Sequence, residues 1–490
     1  MKVMSSVGQY GLALALAVVT IAAGAPEAPV ADAAKDADWT AVRALVVQGT
    51  DVNTPRGDGS TALLWASYWD NGEIADLLIQ AGADVNAVTD LGVTALWAAS
   101  ENGSPGMVAR LLRAEANPNT AHRSGETPLM TAARTGDPDV VRLLLVDGAD
   151  HRAATRDGPR GQQTALMWAV AQQHPAVVEV LLEHGADVHA RSSVFMQTVK
   201  TMRETRALGR QCLPKAECYL IDIQQGGYTP LLFAARVGAL ASARLLVAAG
   251  ANVNDVAPQG TSALVVAAHS GHGDVGALLL EHGADPNAAG AGYTPLHGAI
   301  LQKDARLVAA LLAAGADPEI PLAASTPTRR DSVDFYLHPS FVGATPFWLA
   351  ARFRSAEIMR LLAEHGADPL FVHIPEYWVG DGTNYGYQEF VTEGETTALM
   401  AAVGIGGQNP IISIEHRARV EEDARVGVVT RGFDRAVLAA MTLEAVKVAV
   451  DLGVGVNKAN VNGETALRAA MAADYDAVVE LLVEQGATIN

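Results

Sequence analysis

The feature that most constrains this chain of 490 residues is a repeat of 33 residues. Asn53, Asn86 and Asn119 lie 33 residues apart, as do Asn254 and Asn287. Self-similarity at this spacing is typical of arrays in which small units stack, because one unit cannot bury its own apolar face. The period therefore predicts a solenoid rather than the three globular domains that length alone would suggest.

Most units carry two further marks, which are a Thr-Ala/Pro-Leu tripeptide such as Thr127–Leu129 and a Gly that ends a leucine-rich stretch. Thr is suited to cap a helix, Pro to begin it, and Gly to end one in a left-handed conformation. Glu115 takes the place of Gly in one unit, so the units number eleven. The glycines are Gly49, Gly82, Gly148, Gly185, Gly250, Gly283, Gly315, Gly366, Gly453 and Gly486. Each unit is predicted to be a helix-turn-helix.

These residues resemble the ankyrin repeat, whose pattern runs Gly-x-Thr-Pro-Leu-His-x-Ala-Ala and then Leu-Leu-x-x-Gly-Ala-Asp-x-Asn. The eighth unit matches best, in Gly292–Ala299 and Leu311–Asp317. The resemblance covers nearly everything after Pro29 and implies an all-α solenoid of about eleven units, with short finger hairpins, over residues 29–490. It further implies a scaffold that binds a protein partner, of unknown identity, through a concave face and the fingers.

Four insertions interrupt the period, at about residues 190–225, 320–342, 371–394 and 407–441. The first three fall between a Gly and the next Thr, where the family has its finger, so we expect them to extend fingers. The fourth separates the two helices of the tenth unit. Long insertions in a regular array are usually either functional or disordered.

The third insertion is rich in aromatic residues, since Phe371–Phe390 holds six of them in a chain that is 5% aromatic overall. Disordered loops are poor in aromatic residues, which favours an ordered finger. Such a finger either packs on the concave helices or presents its side chains to a ligand. The candidate residues are Tyr377, Trp378, Tyr385 and Tyr387.

A strip of candidate binding residues runs along the first helices. Positions four, seven and eight residues after the capping Thr share one helical face, and aromatic and Arg residues recur there as they do in binding hot spots. The strip residues are Trp65, Tyr68, Trp69, Arg134, Trp168, Phe233, Arg236, His269, Arg352 and Phe353. The alternative is that these side chains pack beneath the inserted fingers. Trp97 and Trp348 occupy the family's His position, and we expect them to be structural.

The first insertion is locally basic in an acidic chain. Its basic residues are Lys200, Arg203, Arg206, Arg210 and Lys215. This segment is interpreted as a solvated or internally paired helix, with a site for an acidic partner as the alternative. Cys212 and Cys218 lie in the same segment, and export favours a disulfide between them. A zinc site would need two further ligands.

The first 25 residues resemble a secretory signal peptide, with Lys2, an apolar run Leu12–Ala23 and then small residues. The run is short for a membrane span. Cleavage between Ala22 and Ala28 is preferred to cleavage after Ala33, which would cut the first helix; an uncleaved anchor is the alternative. We therefore expect a monomer in the bacterial periplasm or outside the cell, with no stable membrane span after cleavage.

The charge balance and the absence of motifs exclude other classes of function. Lys and Arg number 35 against 54 Asp and Glu, a net charge of −19, which argues against a nucleic-acid partner. The sequence contains no His-Glu-x-x-His, no Gly-x-Ser-x-Gly and no phosphate-binding loop. We expect no enzymatic activity, no cofactor and no metal. The alternative function is a small-ligand or catalytic site formed by the insertions of repeats 8–10.

Overall fold

The structure, a computed structural model, describes residues 28–156, 161–200, 220–326, 337–380, 388–392, 394–406 and 435–489. Within these residues 22 α-helices follow one another as eleven pairs. Six short strands form three two-stranded antiparallel sheets, and each sheet lies in the chain between one helix pair and the next. The predicted helical solenoid of about eleven helix-turn-helix units is confirmed.

The chain divides after Thr120 into two compact units, which we call unit one and unit two. Unit one contains three helix pairs, in which each first helix packs on the next first helix and each second helix on the next second helix. Its helices are α1 (Pro29–Lys35), α2 (Trp39–Val47), α3 (Ala62–Tyr68), α4 (Gly72–Gln80), α5 (Ala95–Glu101) and α6 (Pro105–Arg113).

Unit two contains the other eight pairs, stacked in the same way. Its first four pairs are α7 (Pro128–Thr135) with α8 (Pro138–Val146), α9 (Ala165–Ala171) with α10 (Pro175–Glu183), α11 (Pro230–Val237) with α12 (Leu240–Ala248), and α13 (Ala263–His269) with α14 (Gly273–Glu281). The other four are α15 (Pro295–Gln302) with α16 (Ala305–Ala313), α17 (Pro346–Arg352) with α18 (Ala356–Glu364), α19 (Ala398–Val403) with α20 (Arg435–Asp451), and α21 (Ala466–Ala472) with α22 (Asp476–Glu484).

The sequence predicts one continuous repeat domain over residues 29–490 and places no boundary at Thr120. The 33-residue period runs through it without a change, since Thr94 and Thr127 are one period apart. A pattern that reports only how each repeat is built therefore carries no mark of the division.

The predicted helix starts are confirmed in ten of the eleven pairs described. In the fourth, Thr127 Oγ1 accepts a hydrogen bond from the Met130 amide at 3.4 Å, and Pro128 begins the helix. The corresponding caps are Thr61, Thr94, Thr164, Thr229, Ser262, Thr294, Thr345, Thr397 and Thr465. The second helix of the fourth pair buries an apolar stripe of Val140, Val141, Leu144 and Leu145. Capping thus sets where each helix begins, and the stripe sets which face it buries.

A repeated Asn joins neighbouring repeats at five junctions among the residues described. Asn254 Nδ2 donates to the Gly283 carbonyl at 3.0 Å, and its Oδ1 accepts from the Asp285 amide at 2.8 Å. Asn53, Asn86, Asn287 and Asn457 make the same pair of bonds. In each case the accepting carbonyl belongs to the left-handed residue that ends a second helix, which is Glu115 (φ 65°) for Asn86. This Asn ladder is the physical reason for the spacing.

We expect Asn254→Ala to lower the free energy of unfolding by about 1–2 kcal/mol, because two hydrogen bonds between repeats are lost and each contributes about 0.5–1.5 kcal/mol. Urea unfolding followed by circular dichroism measures the change. Asn462→Ala is the matched control, since Asn462 is exposed and, among the residues described, is bonded through its backbone amide alone. Equal effects in the two variants would show that the ladder adds nothing.

The first insertion extends a finger, as predicted. Strands β1 (Val194–Lys200) and β2 (Leu220–Gly226) pair antiparallel, with Val194 opposite Gly226 and Lys200 opposite Leu220. The helix predicted for the basic segment is wrong for the part described, since both ends are strands. Exposure alternates along β1, since Val194, Met196 and Thr198 are exposed and the residues between them are half-buried. This is the period of a strand rather than that of a helix.

The later insertions are described in part. Residues Pro339–Phe341 form a short 3-10 helix, β3 (Val372–His373) pairs with β6 (Thr396–Thr397), and β4 (Glu376–Gly380) pairs with β5 (Gln388–Thr392). Residues 435–441, which the sequence places in the fourth insertion, form the start of α20. Alanine and leucine are strong helix formers, so the helix extends backwards beyond the repeat pattern.

Candidate functional site

In unit one, the strip residues of repeat 2 divide into one buried and two exposed aromatic side chains. Trp65 is 5% exposed, and its indole N–H donates to Ser60 Oγ at 3.1 Å. Tyr68 and Trp69 are 38% and 49% exposed, and their rings meet edge to face with centroids 5.2 Å apart. The Trp69 indole donates to the Lys35 carbonyl at 3.2 Å, which holds the ring in place. Tyr68 and Trp69 are therefore available to a partner, whereas Trp65 is structural.

In unit two, Arg134 and Trp168 come together across neighbouring repeats. The Arg134 guanidinium carbon lies 5.8 Å from the centre of the Trp168 ring, within the range of a cation–π contact. The Glu126 carboxylate lies 3.6 Å from Arg134 and is mostly buried. Both strip residues are half-buried, so part of each side chain remains on the surface.

The strip residues of repeats 6 and 7 line a pocket of about 230 Å³ in unit two. Its helical side is formed by Arg236, Val265, Val266, His269 and Ser270. Its finger side is formed by Ile223–Gly226 and by Ala257, Pro258, Gln259 and Thr261. Tyr228, Tyr293 and Thr326 complete it. Fingers and first helices thus contribute to one concavity.

The finger wall of the pocket is held by contacts between successive fingers. The Arg191 guanidinium donates to the Gly227 carbonyl at 2.9 Å and to the Val256 carbonyl at 3.0 Å, and it pairs with Asp255. Gly227 has φ 66°, and a Cβ there would lie 2.7 Å from Pro258 Cδ, so only Gly permits this close approach. The Gln259 side chain donates to the Gln224 carbonyl. The wall is therefore built from specific contacts rather than from a free loop.

The base of the pocket is aromatic and uncharged. The His269 and Tyr293 rings lie 5.8 Å apart, and burial lowers the pKa of His269 below its usual range. Burial and the neighbouring Tyr228 raise the pKa of Tyr293 to about 12. At neutral pH the imidazole is therefore neutral and the phenol keeps its proton. Phe233 is half-buried and packs edge to face on Tyr228 at 5.6 Å, so it supports the pocket from behind.

The strip residues of repeat 9 are buried, which corrects the prediction that they form part of a binding surface. Arg352 is fully buried and Phe353 is 7% exposed. Phe341, from the second insertion, covers both: its ring lies 5.8 Å from the Arg352 guanidinium carbon and 5.9 Å from the Phe353 ring. The Arg352 Nε–H also donates to the Gly406 carbonyl at 3.4 Å. Here the alternative, packing beneath an inserted segment, is the correct interpretation.

The aromatic finger remains a prediction. Tyr377 and Trp378 lie on β4, but their side chains are outside the described part of the structure. Tyr385 and Tyr387 lie outside the described residues altogether. The predicted disulfide between Cys212 and Cys218 and the signal peptide at 1–25 also fall outside the described residues. Where the third insertion is described, His373 packs edge-on against the buried Trp348 at 4.6 Å.

Sequence reasoning missed two residues of the pocket, Tyr228 and Tyr293. Both occupy the position before the capping Thr, in the repeated string Gly-Tyr-Thr-Pro-Leu at Gly227–Leu231 and Gly292–Leu296. The recurrence of Tyr at this position was the available signal. Both Tyr residues lie outside the predicted strip, which contains only positions inside the helix.

Comparison with protein families identifies the architecture. A family model described as ankyrin repeats (3 copies) matches residues 30–122, 96–192 and 231–321, and one described as ankyrin repeat matches residues 342–373. Together these matches cover more than half of the chain. The chain belongs to the ankyrin repeat family. Ankyrin repeats are generally protein–protein interaction modules and typically non-catalytic scaffolds, so protein binding is the class of function to which this fold points.

Two further observations concern the residues that the structure describes. No helix among them combines the length and apolar character needed to cross a membrane. No group of three or more His, Cys, Asp or Glu side chains in the same residues is placed to hold a metal ion.

Proposed function

We propose that this ankyrin repeat protein is an interaction scaffold that binds its partner through the first helices and fingers, by contact rather than by catalysis. The observation that carries the proposal is the pocket of repeats 6 to 8. Its walls come from two fingers, and its base comes from His269 on a first helix and from Tyr293 just before the next one. Arg236 stands exposed at the rim. Concavities lined by aromatic side chains and a few polar groups are the usual sites of recognition.

The exposed pair Tyr68 and Trp69 supports the same function in unit one. Large aromatic side chains that stay exposed yet are held by neighbours suit binding, because little side-chain entropy is lost when a partner covers them. Trp69 is held by its bond to Lys35, and Tyr68 by ring contacts with both Trp65 and Trp69.

We also propose that the protein acts in the bacterial periplasm or outside the cell. The support is the N-terminal sequence, in which Lys2, the apolar run Leu12–Ala23 and the following small residues match an export signal.

One experiment tests binding and compartment together. Gln224, which is exposed at the pocket, and Trp69 are each replaced by the photo-crosslinking residue p-benzoylphenylalanine in the native cells. After irradiation the cells are fractionated, and we expect a protein adduct in the envelope or secreted fraction. Arg244, exposed on the second helix of repeat 6 and absent from the pocket lining, is the control position.

The outcomes separate the two claims. An adduct formed equally from Arg244, or no adduct from either test position, contradicts the scaffold proposal. An adduct found only in the cytoplasm contradicts the proposed compartment and leaves the scaffold proposal standing.

A further inference from the structure

The described lining of the pocket has an unusual charge for this protein. Asp and Glu outnumber Lys and Arg in the whole chain by 54 to 35, yet no acidic side chain is among the described residues that line the pocket. The lining carries one cation, Arg236, which has no ion-pair partner among the residues described. The remaining polar groups include the amides of Gln224, Gln225 and Gln259. The pocket is thus rich in hydrogen-bond donors and lacks a fixed negative charge.

The base of the pocket adds two further polar side chains. The Tyr293 hydroxyl stays protonated at neutral pH. His269 Nε2 is buried and has no hydrogen-bond partner among the described residues. A buried polar nitrogen that no protein group satisfies costs free energy, and a ligand that bonds to it recovers that cost.

The size of the pocket limits what can enter. Pockets for drug-sized ligands measure about 300–1,000 Å³, and this one measures about 230 Å³. It therefore fits one side chain or one chain end of a larger partner. A cationic side chain is disfavoured, because Arg236 would repel it and no lining carboxylate would pair with it. A phosphate group is generally bound by a cluster of Arg side chains, and here there is one.

We propose that this pocket binds a single carboxylate of a peptide partner, held by Arg236 at the rim and reached by Tyr293 and His269 from the base. Arg binds carboxylates with two parallel hydrogen bonds, and charged hydrogen bonds are about twice as strong as neutral ones. The carboxylate belongs either to an Asp or Glu side chain or to the C-terminus of the partner. This inference rests on the proposed scaffold function and names the chemical group that the scaffold recognises.

The test uses three synthetic peptides and the full-length protein with labelled His and Tyr rings, observed by NMR. Acetyl-Ala-Ala-Glu-amide carries a side-chain carboxylate, acetyl-Ala-Ala-Ala carries a terminal one, and acetyl-Ala-Ala-Gln-amide carries none. We expect saturable shifts of the His269 and Tyr293 signals with one or both carboxylate peptides and none with the neutral peptide. Which of the two binds identifies the source of the carboxylate.

Variants assign the effect to the pocket. Arg236→Gln should weaken binding of the carboxylate peptide about tenfold, and Tyr293→Phe several-fold, because each removes a donor. Arg244→Gln makes the same charge change on the outer helix of the same repeat and should leave binding unchanged. Because Arg236 is exposed, its variant should also retain the circular dichroism spectrum of the parent protein.

Two results would overturn the inference. One is a response to the neutral peptide as large as that to the carboxylate peptides, or no response to any of the three peptides. The other is unchanged affinity in Arg236→Gln. In either case a crosslinked adduct at Gln224 would still support the scaffold proposal. Failure of the carboxylate inference can therefore be told apart from failure of the scaffold proposal.

Discussion

Trp348→Ala is expected to destabilise repeats 8 to 10 by about 3–5 kcal/mol, which is the usual cost of removing a fully buried Trp side chain. Trp348 is completely buried, its indole N–H donates to the Thr396 carbonyl at 3.2 Å, and its ring packs on His373 and Phe341. Gly406 approaches it so closely that a Cβ there would lie 2.6 Å from the indole. One side chain therefore joins two insertions to repeat 9.

Hydrogen exchange measured by mass spectrometry localises this loss. Peptides from α17 and α18 should exchange about a hundredfold to several thousandfold faster, because each 1.4 kcal/mol is a factor of ten. Peptides from residues 28–120 should not change. Trp97→Ala is the matched control, since Trp97 occupies the same position of repeat 3 but is only half-buried, and its effect should be smaller. Undisturbed exchange in α17 would show that Trp348 does not hold this region.

The second large effect is acid sensitivity from His297. This side chain is completely buried, and burial lowers its pKa to about 3, whereas an unfolded His titrates near 6.5. Between these values the unfolded state binds a proton that the folded state does not, so unfolding becomes more favourable as the pH falls. His297 should therefore cost about 1.4 kcal/mol per pH unit below 6.5, or about 2 kcal/mol at pH 5. Above 6.5 the cost is absent.

His297→Gln should remove this part of the pH dependence and keep the fold. His297 Nδ1 accepts from the Thr294 amide at 3.1 Å and completes a capping box, a position that Gln also fills well. Chemical denaturation at pH 7.5 and pH 5 compares the two proteins. We expect similar stability at pH 7.5 and a gain of about 2 kcal/mol for the variant at pH 5. His338, whose pKa burial and Arg352 lower to about 4, remains in both proteins and accounts for residual acid sensitivity. An identical pH slope in the two proteins would refute the assignment.

Most of the regular fold was predictable because its determinants are local. Thr127 caps a helix through an amide three residues away, and Val140 and Leu144 share a face through the helical period. Even the Asn ladder, although it connects repeats, connects equivalent positions, so its period is visible in the sequence. Where the repeat pattern stops, as at residues 435–441, helix propensity extends α20 without any periodic mark, so the repeat alone does not give the start of that helix.

The candidate site was predicted in part. Arg236 and His269 were identified from their helical position, and both line the pocket. Tyr228 and Tyr293 were missed because they lie before the helix rather than on its face. Arg352 shares the helical position of Arg236 but is buried, because an insertion supplies Phe341 to cover it.

The sequence by itself determined the repeat, the helix starts and the faces of the helices, since each depends on residues within one unit or on equivalent residues in the next. The tertiary structure alone decided which strip residues are exposed and which are covered, as the contrast between Arg236 and Arg352 shows. The physical reason is that exposure depends on segments distant in the chain, and an insertion of irregular sequence carries no period that says where it will pack. The tertiary structure likewise decided that two fingers and three repeats meet around one pocket.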